Sequence, residues 1–390
     1  MNSSIIDKAF QLPLKNKYSG FQKIHNRVSL TKRIEAQQFS PHEPINIFSD
    51  NGFDLQGFLG SGTINDPYRI EGYNITASEG ELILIRHTRV NFIIKNNLLN
   101  GLFIASSGIK LVDVANGIIE KNYIANHTSN GIDLHSSSSN IIYDNVINKN
   151  FNGIRLNEGH INNISKNHIY NNKQSGIVTD KSDLNILSQN VIMENQLAGI
   201  RSGGVRNIIS ANLISNNSFQ GILTRYNIFD TITSNIIANN GNEGILISGN
   251  HIAIYNNTIS NNDNEGLLIS ESSYSNVLNN TFSNNKGYGI LLDDFTQNAI
   301  VSGNNFIRNN PLGGSQAADT GMNNIFDDNF WDDWTISYYS YPIDLSVNYQ
   351  MNTYRREFTL PPNVIIGACF LLAILSVLFL IIRKQRTLSQ

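Results

Sequence analysis

The chain has a single cysteine in 390 residues, Cys369, and it lies in an apolar run. No disulfide and no cysteine-based metal site can therefore form within the chain. Charge is scarce too. Charged residues make up 15% of the sequence and the formal net charge is −3. No Lys/Arg stripe with interleaved aromatics is present, which excludes a nucleic-acid footprint. The 8 His and 4 Met form no H-x-H or M-x-x-M cluster of the kind that holds copper. The Gly-Gly-x-Gly-x-Asp repeat of calcium-binding β-rolls is also missing. Long helix-forming runs are absent from the middle of the chain, where Asn and Gly recur too often for ten uninterrupted helical residues. Hydrogen bonds and aliphatic packing must do the stabilising.

What is present is a repeat. Gly-Ile or Gly-Leu recurs at Gly108, Gly131, Gly153, Gly176, Gly199, Gly221, Gly244, Gly266 and Gly289, every 22 or 23 residues. A second series runs in phase: Asn122, Asn145, Asn167, Asn190, Asn212, Asn235, Asn257 and Asn280. Two residues after each comes an apolar side chain, from Ile124 and Ile147 through to Phe282. A further Asn usually follows five residues after the first, as at Asn150, Asn172 and Asn195. The unit reads N-x-I-x-x-N-x-x-x-G-I-x-L. A fixed period of this length denotes a solenoid, whose repeats cannot bury their apolar side alone.

The period-two alternation of N-x-I and I-x-L between Asn/Gly turns reads as two or three short strands per repeat. The expected fold is all-β: a parallel β-helix of about eleven coils stacked at roughly 4.8 Å. Like residues then lie above one another. The Ile positions form an internal stack, and some of the Asn positions, 60 of 390 residues being Asn, form amide ladders at the turns. Glycine is expected to supply tight or left-handed backbone there.

Both ends of such a rod need covering. The opening coil is placed at 45–75, and an aromatic cap at 324–345, with Phe326, Phe330, Trp331, Trp334, Tyr338, Tyr339 and Tyr341. The division is a basic, poorly ordered segment at 1–43, the β-helix at 44–323, the cap, a stalk at 346–363, a span at 364–382 and a basic tail at 383–390. Val364 to Ile382 is a 19-residue run without charge, long enough to cross a bilayer. Arg383, Lys384 and Arg386 on one side against Arg355 and Arg356 on the other put the tail in the cytoplasm and the β-helix outside. Residues 1–40 hold seven Lys and Arg but no apolar stretch for a signal-peptide core. The favoured explanation is a start upstream of Met1; export through the C-terminal segment and a cytosolic β-helix are the alternatives.

The opening G-S-G-T-x-x-D-P-Y-x-I-x-G at Gly60 to Gly72, the N-x-I-x-x-N and G-I-x-L coils, and the terminal N-x-W-D-D resemble the NosD-like right-handed parallel β-helix family. The resemblance covers about residues 44–343. It implies a right-handed, pectin-lyase-like fold within a class of carbohydrate-binding and sugar-hydrolysing proteins. It also implies a periplasmic copper-maturation role, which the His and Met distribution of this chain does not support. The acidic, Gly-rich stretch usual after the Trp is shortened here.

Function is expected on the outward positions of the G-I-x-L-x strand. Coil by coil these are Asp133 and His135, Arg155 and Asn157, Val178 and Asp180, Arg201, then Leu223 and Arg225, followed by the largely apolar Leu246, Leu268 and Leu291. Asp133, Arg155, Asp180, Arg201 and Arg225 share one surface spread over about 20 Å. Acids and bases there can pair across rungs as solvated ladders. The functional alternative is a groove for an anionic or neutral glycan, with Arg155, Asn157, Asp180, Arg201 and Arg225 as its ligand-binding set.

Asn130-Gly131-Ile132-Asp133-Leu134-His135 is similar to the Tyr-Gly-x-Asp-Pro-His catalytic strand of alginate C5-epimerase β-helices. Asp133 and His135 match as catalytic candidates. Asn130 stands where the resemblance implies a Tyr acid, and Leu134 where it implies Pro, which removes one partner from general acid–base chemistry. Asp293-Asp294 offers a weaker carboxylate candidate. Asp327, Asp328, Asp332 and Asp333 could hold Ca²⁺ through oxygen ligands, or simply form the polar edge of the cap. The resulting expectation is a surface protein with one C-terminal membrane span that binds a polysaccharide or surface glycoconjugate. A polysaccharide-modifying enzyme (epimerase, lyase or hydrolase) is the competing class, and a copper-maturation or scaffold role the third.

Overall fold

The structure, a computed structural model, describes residues 39–77, 79–313 and 315–332, and the backbone of residues 343–344. It is a right-handed parallel β-helix with three strands per coil. Sheet 1 has 13 strands, from Ser40–His42 to Phe330–Trp331. Sheet 2 has 14, from Ile45–Ile47 to Ile343–Asp344, and sheet 3 has 12, from Tyr68–Glu71 to Ile325–Asp327. The chain passes from sheet 3 to sheet 1 to sheet 2 and then climbs one coil. Every pairing is parallel and in the register that the repeat demands: Ile124 lies beside Ile147, and Ile147 beside Ile169.

The column from Ile124 through Ile147, Ile169, Ile192, Ile214, Ile237 and Ile259 to Phe282 is wholly buried. Asn145, Asn167 and Asn190 are vertical neighbours. Asn145 Nδ2 donates to Asn167 Oδ1 at 3.0 Å and to the carbonyl of Ile119 at 2.8 Å, and its backbone N–H reaches the same Asn167 oxygen at 3.0 Å. One buried side chain thus satisfies backbone groups that a turn leaves open. A matching ladder runs up the sheet 1–sheet 2 corner from His127 and Asn150 onward. A third, unanticipated ladder occupies the sheet 2–sheet 3 corner: Asn140, Asn162, Asn185, Asn207 and then Asp230.

The glycines correct one expectation. The repeat glycines do not take left-handed backbone; they permit close approach between coils. A Cβ on Gly131 would lie 2.6 Å from Ile147 Cγ2 and 2.8 Å from the carbonyl of Gly153. The left-handed residue at the corners is instead the one preceding each ladder Asn, such as Lys121, Asp144, Lys149 or Asn171, with φ between 53° and 56°.

The rod opens before position 44. Ser40–His42 pairs with Tyr73–Thr76, and the His42 ring lies 4.4 Å from Tyr73. The short helix Gly52–Leu55 places Phe53, fully buried, in stacking contact with Tyr68 at 4.8 Å. At the other end Phe282, Phe306 and Trp331 continue the aliphatic column as a ring stack, with centroids 5.1 and 4.2 Å apart. Trp334, Tyr338, Tyr339 and Tyr341 of the expected cap lie outside the described residues. So do most of 1–43, and the stalk, span and tail at 346–363, 364–382 and 383–390. Among the described residues no helix is long and apolar enough to cross a membrane.

Candidate functional site

The outward positions of sheet 2 form two parallel columns. In the first, Lys110, Asp133, Arg155, Val178, Arg201, Leu223 and Leu246 are successive register partners. In the second, Val112, His135, Asn157 and Asp180 follow one another. Gly203 comes next. A Cβ there would meet the Asp180 Cα at 4.0 Å and the Arg225 carbonyl at 3.8 Å, so the row between Asp180 and Arg225 holds no side chain.

These positions were expected to point freely outward. Several do not, because the sheet 1–sheet 2 corner rises as a ridge beside them: Val178 is 2% exposed, and Asp133 and Leu223 are each 9% exposed. Ridge and sheet enclose a groove of about 550 Å³. Its floor includes Arg155, Val178, Asp180, Arg201, Leu223 and Arg225, and its wall includes Phe151, Asn152, Gln174, Leu197, Phe219 and Gln220. Backbone hydrogen bonds from Gln174 to Phe151, Leu197 to Gln174 and Phe219 to Leu197 set the wall residues on successive rungs. Phe151 and Phe219 remain close to half exposed.

Electrostatics within the groove are unequal. Asp180 takes both neighbouring arginines: Arg201 Nη2 lies 2.9 Å from Oδ1, and Arg155 Nε 3.6 Å from Oδ2. The cross-rung pairing anticipated for this face is therefore present around Asp180. Arg225 makes no ion pair with any described residue. Three arginines and one carboxylate line the groove.

Asp133 and His135 stand one coil before Arg155 and do not line it. Burial raises the Asp133 carboxyl above the ordinary range, against the opposing pull of Arg155 and Lys110. His135 Nδ1 faces Asn157 Nδ2 at 2.9 Å. Asn130 is held in the corner by Asn152, whose Nδ2 donates to Asn130 Oδ1 at 2.9 Å, and Leu134 is core.

Of the remaining acids, Asp293 and Asp332 hold turns. Asp293 accepts from Ser270 Oγ at 2.5 Å and Thr296 Oγ1 at 2.9 Å. Asp332 Oδ1 accepts from Gln316 Nε2 at 2.8 Å and from the Arg308 N–H at 3.0 Å, closing the last coil. Asp327 pairs with Ser302, Asp328 takes left-handed backbone at φ 50°, and Asp333 lies outside the described residues. Among the described residues no three His, Cys, Asp or Glu side chains are gathered to hold a metal ion.

The sequence reading missed the ridge. Phe151, Gln174, Leu197 and Phe219 occupy the variable positions between the repeat Asn and Gly, and only the rung-to-rung hydrogen bonds show that they form one wall.

Together, a solenoid of parallel coils and a groove along one sheet define a β-helix protein with an elongated surface site. The chain belongs to the right-handed β-helix region family, whose description matches residues 57–204 and 186–331. That match does not single out the NosD-like group. No curated protein matches the sequence. Among solved structures, the chain is similar to the A-module of the Azotobacter vinelandii mannuronan C-5 epimerase AlgE6, at 16% identity and a TM-score of 0.45 over 73% of this chain and 95% of that one. It is also similar to the periplasmic alginate epimerase AlgG, at 12% identity and a TM-score of 0.49 over 75% and 85%. A third is the Dettilon tailspike protein, at 13% identity and a TM-score of 0.43 over 74% and 61%. These likenesses extend to the fold alone.

Proposed function

We propose that this protein binds an acidic polysaccharide, laid along the coil axis in the groove over sheet 2. The supporting observation is the charge imbalance of the groove: Arg155, Arg201 and Arg225 against Asp180 alone, in a chain of net charge −3. Guanidinium groups suit carboxylate or sulfate, and the amide of Gln174 suits hydroxyl groups. Phe151 and Phe219 stand three rungs apart, about 14 Å, which fits an extended chain rather than a compact ligand. Arg225 is the anion-reading residue of this proposal, because Asp180 already engages the other two arginines. The test is titration of the protein with a polyuronate and with a neutral glucan. Tight binding of the polyuronate alone, weakened about tenfold by Arg225→Gln, is expected; equal affinity for both polymers would sink the reading.

A second reading, modification of the same polymer, is favoured by the raised carboxyl of Asp133 next to Arg155. A carboxyl poised above the usual range suits proton transfer. Turnover on polyuronates that Asp133→Asn and His135→Ala leave unchanged removes this reading. Display of the rod outside a cell membrane, held by the run at 364–382, belongs to the proposal on sequence grounds.

A further inference from the structure

One corner of the rod carries side chains that its backbone does not call for. The residue before each ladder position is left-handed at all three corners. At two of them that residue is polar or small: Lys121, Asp144 and Lys166 at one, Lys149, Asn171 and Glu194 at another. At the sheet 2–sheet 3 corner, six consecutive rungs instead present Ile161, Leu184, Arg206, Phe229, His251 and Tyr274, all with φ between 56° and 61°. Bulky and β-branched residues are disfavoured in that conformation, and Asn would serve the turn better.

The six side chains form a straight stripe about 24 Å long. Ile161 is 59% exposed, Leu184 49%, Phe229 48% and Tyr274 54%. The Arg206 guanidinium lies over Phe229 at 5.4 Å. Phe229 stacks on His251 at 4.9 Å, and His251 on Tyr274 at 5.2 Å, with planes 18° and 8° apart. Tyr226 and Ile228, on the rung of Phe229, are exposed beside them.

The chemistry of the stripe selects its occupant. A sugar chain stacks on a run of free ring faces, and the stripe offers no such run, because both faces of Phe229 and His251 are already covered. An anionic lipid surface needs a cluster of Lys and Arg, and the stripe holds one arginine. The exposed parts of Ile161, Leu184, Tyr226, Ile228, Phe229 and Tyr274 come to about 600 Å² at roughly 150–200 Å² per large side chain. That approaches the roughly 800 Å² per partner of a stable protein interface. A straight apolar line parallel to the rod is also self-complementary about a twofold axis perpendicular to it.

We propose that this corner docks a second copy of the chain, the two rods lying antiparallel about an axis between Arg206 and Phe229. Ile161 of each copy then meets Tyr274 of the other, and Arg206 meets Phe229. The groove over sheet 2 is walled by a different corner, and the pairing does not rest on glycan binding.

Sedimentation of the full chain in mild detergent tests it. The native chain sediments as a dimer, and Phe229→Asn with Tyr274→Asn weakens association at least tenfold while leaving the β-sheet circular-dichroism spectrum intact. A native monomer, or a double-Asn variant that remains dimeric, overturns the proposal. Should that variant not fold, disulfide trapping decides. In a Cys369→Ser background, Ile161→Cys with Tyr274→Cys places the two thiols too far apart within one chain to bridge. Oxidation is expected to give a covalent dimer on a non-reducing gel; a product that stays monomeric overturns the antiparallel pairing.

Discussion

The Arg201 guanidinium donates to both carboxylate oxygens of Asp180, at 2.9 and 3.2 Å, from the neighbouring rung. The pair is partly open to solvent, so it contributes at most about 1 kcal/mol to stability. Its larger consequence is to hold one of the groove arginines, with Arg155 engaged from the other side. Asp180→Asn frees both. The expected result is roughly tenfold tighter binding of a polyuronate at low salt, with a steeper loss as salt is raised, because unpaired surface charge is screened. Isothermal titration at two ionic strengths checks this. Unchanged affinity would mean that the polymer does not lie across Asp180.

The ladders make a stronger stability prediction. Asn190 accepts from the N–H and the Nδ2 of Asn167 at 2.9 and 3.0 Å, and donates to Asn212 Oδ1 at 3.1 Å and the Ile164 carbonyl at 2.9 Å. Asn190→Ala takes a partner from buried groups on two coils, those of Asn167 and Asn212, and each group left without one costs about 1–3 kcal/mol. A loss of about 4 kcal/mol is expected in urea unfolding. In a solenoid the damage stays near its source. Hydrogen exchange should therefore quicken around 164–215 and leave the terminal coils close to native.

The ladders and the aliphatic column were legible because each is a repeat of one residue type at a fixed period, which places like above like without any knowledge of the turns. The third ladder was equally periodic, at Asn140, Asn162, Asn185 and Asn207, but it ends at Asp230 and Ile252 and is shorter than the other two. The charged face was legible in part: Arg155, Asp180, Arg201 and Arg225 follow from the outward positions of I-x-L-x and line the groove, whereas Asn157, expected among them, meets His135 and does not line it. The groove was not. Its wall depends on how far Phe151 and Phe219 project from the corner, and that is set by turn geometry rather than by alternation. The repeat glycines were read for the wrong physical reason for the same cause.

Two ladder positions hold a titratable residue in place of Asn, and they respond to pH in opposite senses. Burial raises the Asp230 carboxyl to about 6. Burial lowers the His127 imidazole to about 4, although its hydrogen bond with Asn150 opposes this. A folded value above the unfolded one means that the Asp230 contribution is complete below pH about 4 and is lost as pH rises through 6, a cost of about 3 kcal/mol. His127 is neutral in the fold, so its cost appears as pH falls from about 6.5 toward 4, again about 3 kcal/mol. Between pH 4 and 6 the two slopes nearly cancel in the native chain, so Asp230→Asn should expose the His127 slope, with stability falling as pH falls. His127→Asn should do the reverse. Urea midpoints across pH 4–8 check both, and parallel profiles for the two variants would refute the assignment.

The glycines divide into two classes that substitution can separate. Gly244 has ordinary backbone, but a Cβ there would sit 2.5 Å from Ile259 Cγ2, 2.7 Å from Asn262 Nδ2 and 2.7 Å from the Gly266 carbonyl. Two of those three neighbours belong to the core column and the ladder, and the third is backbone, so none can move aside cheaply. Gly57 has φ of +73° and nothing within 4 Å of its would-be Cβ. Gly244→Ala must therefore force adjacent coils apart, at about 3 kcal/mol. Gly57→Ala meets only the left-handed penalty of about 1–2 kcal/mol. Replacement by Asn sharpens the contrast: Asn tolerates left-handed backbone and should restore most of the stability at Gly57, whereas at Gly244 its larger side chain should worsen the clash. Equal responses at the two positions would show that backbone conformation, rather than the spacing between coils, fixes the repeat glycines.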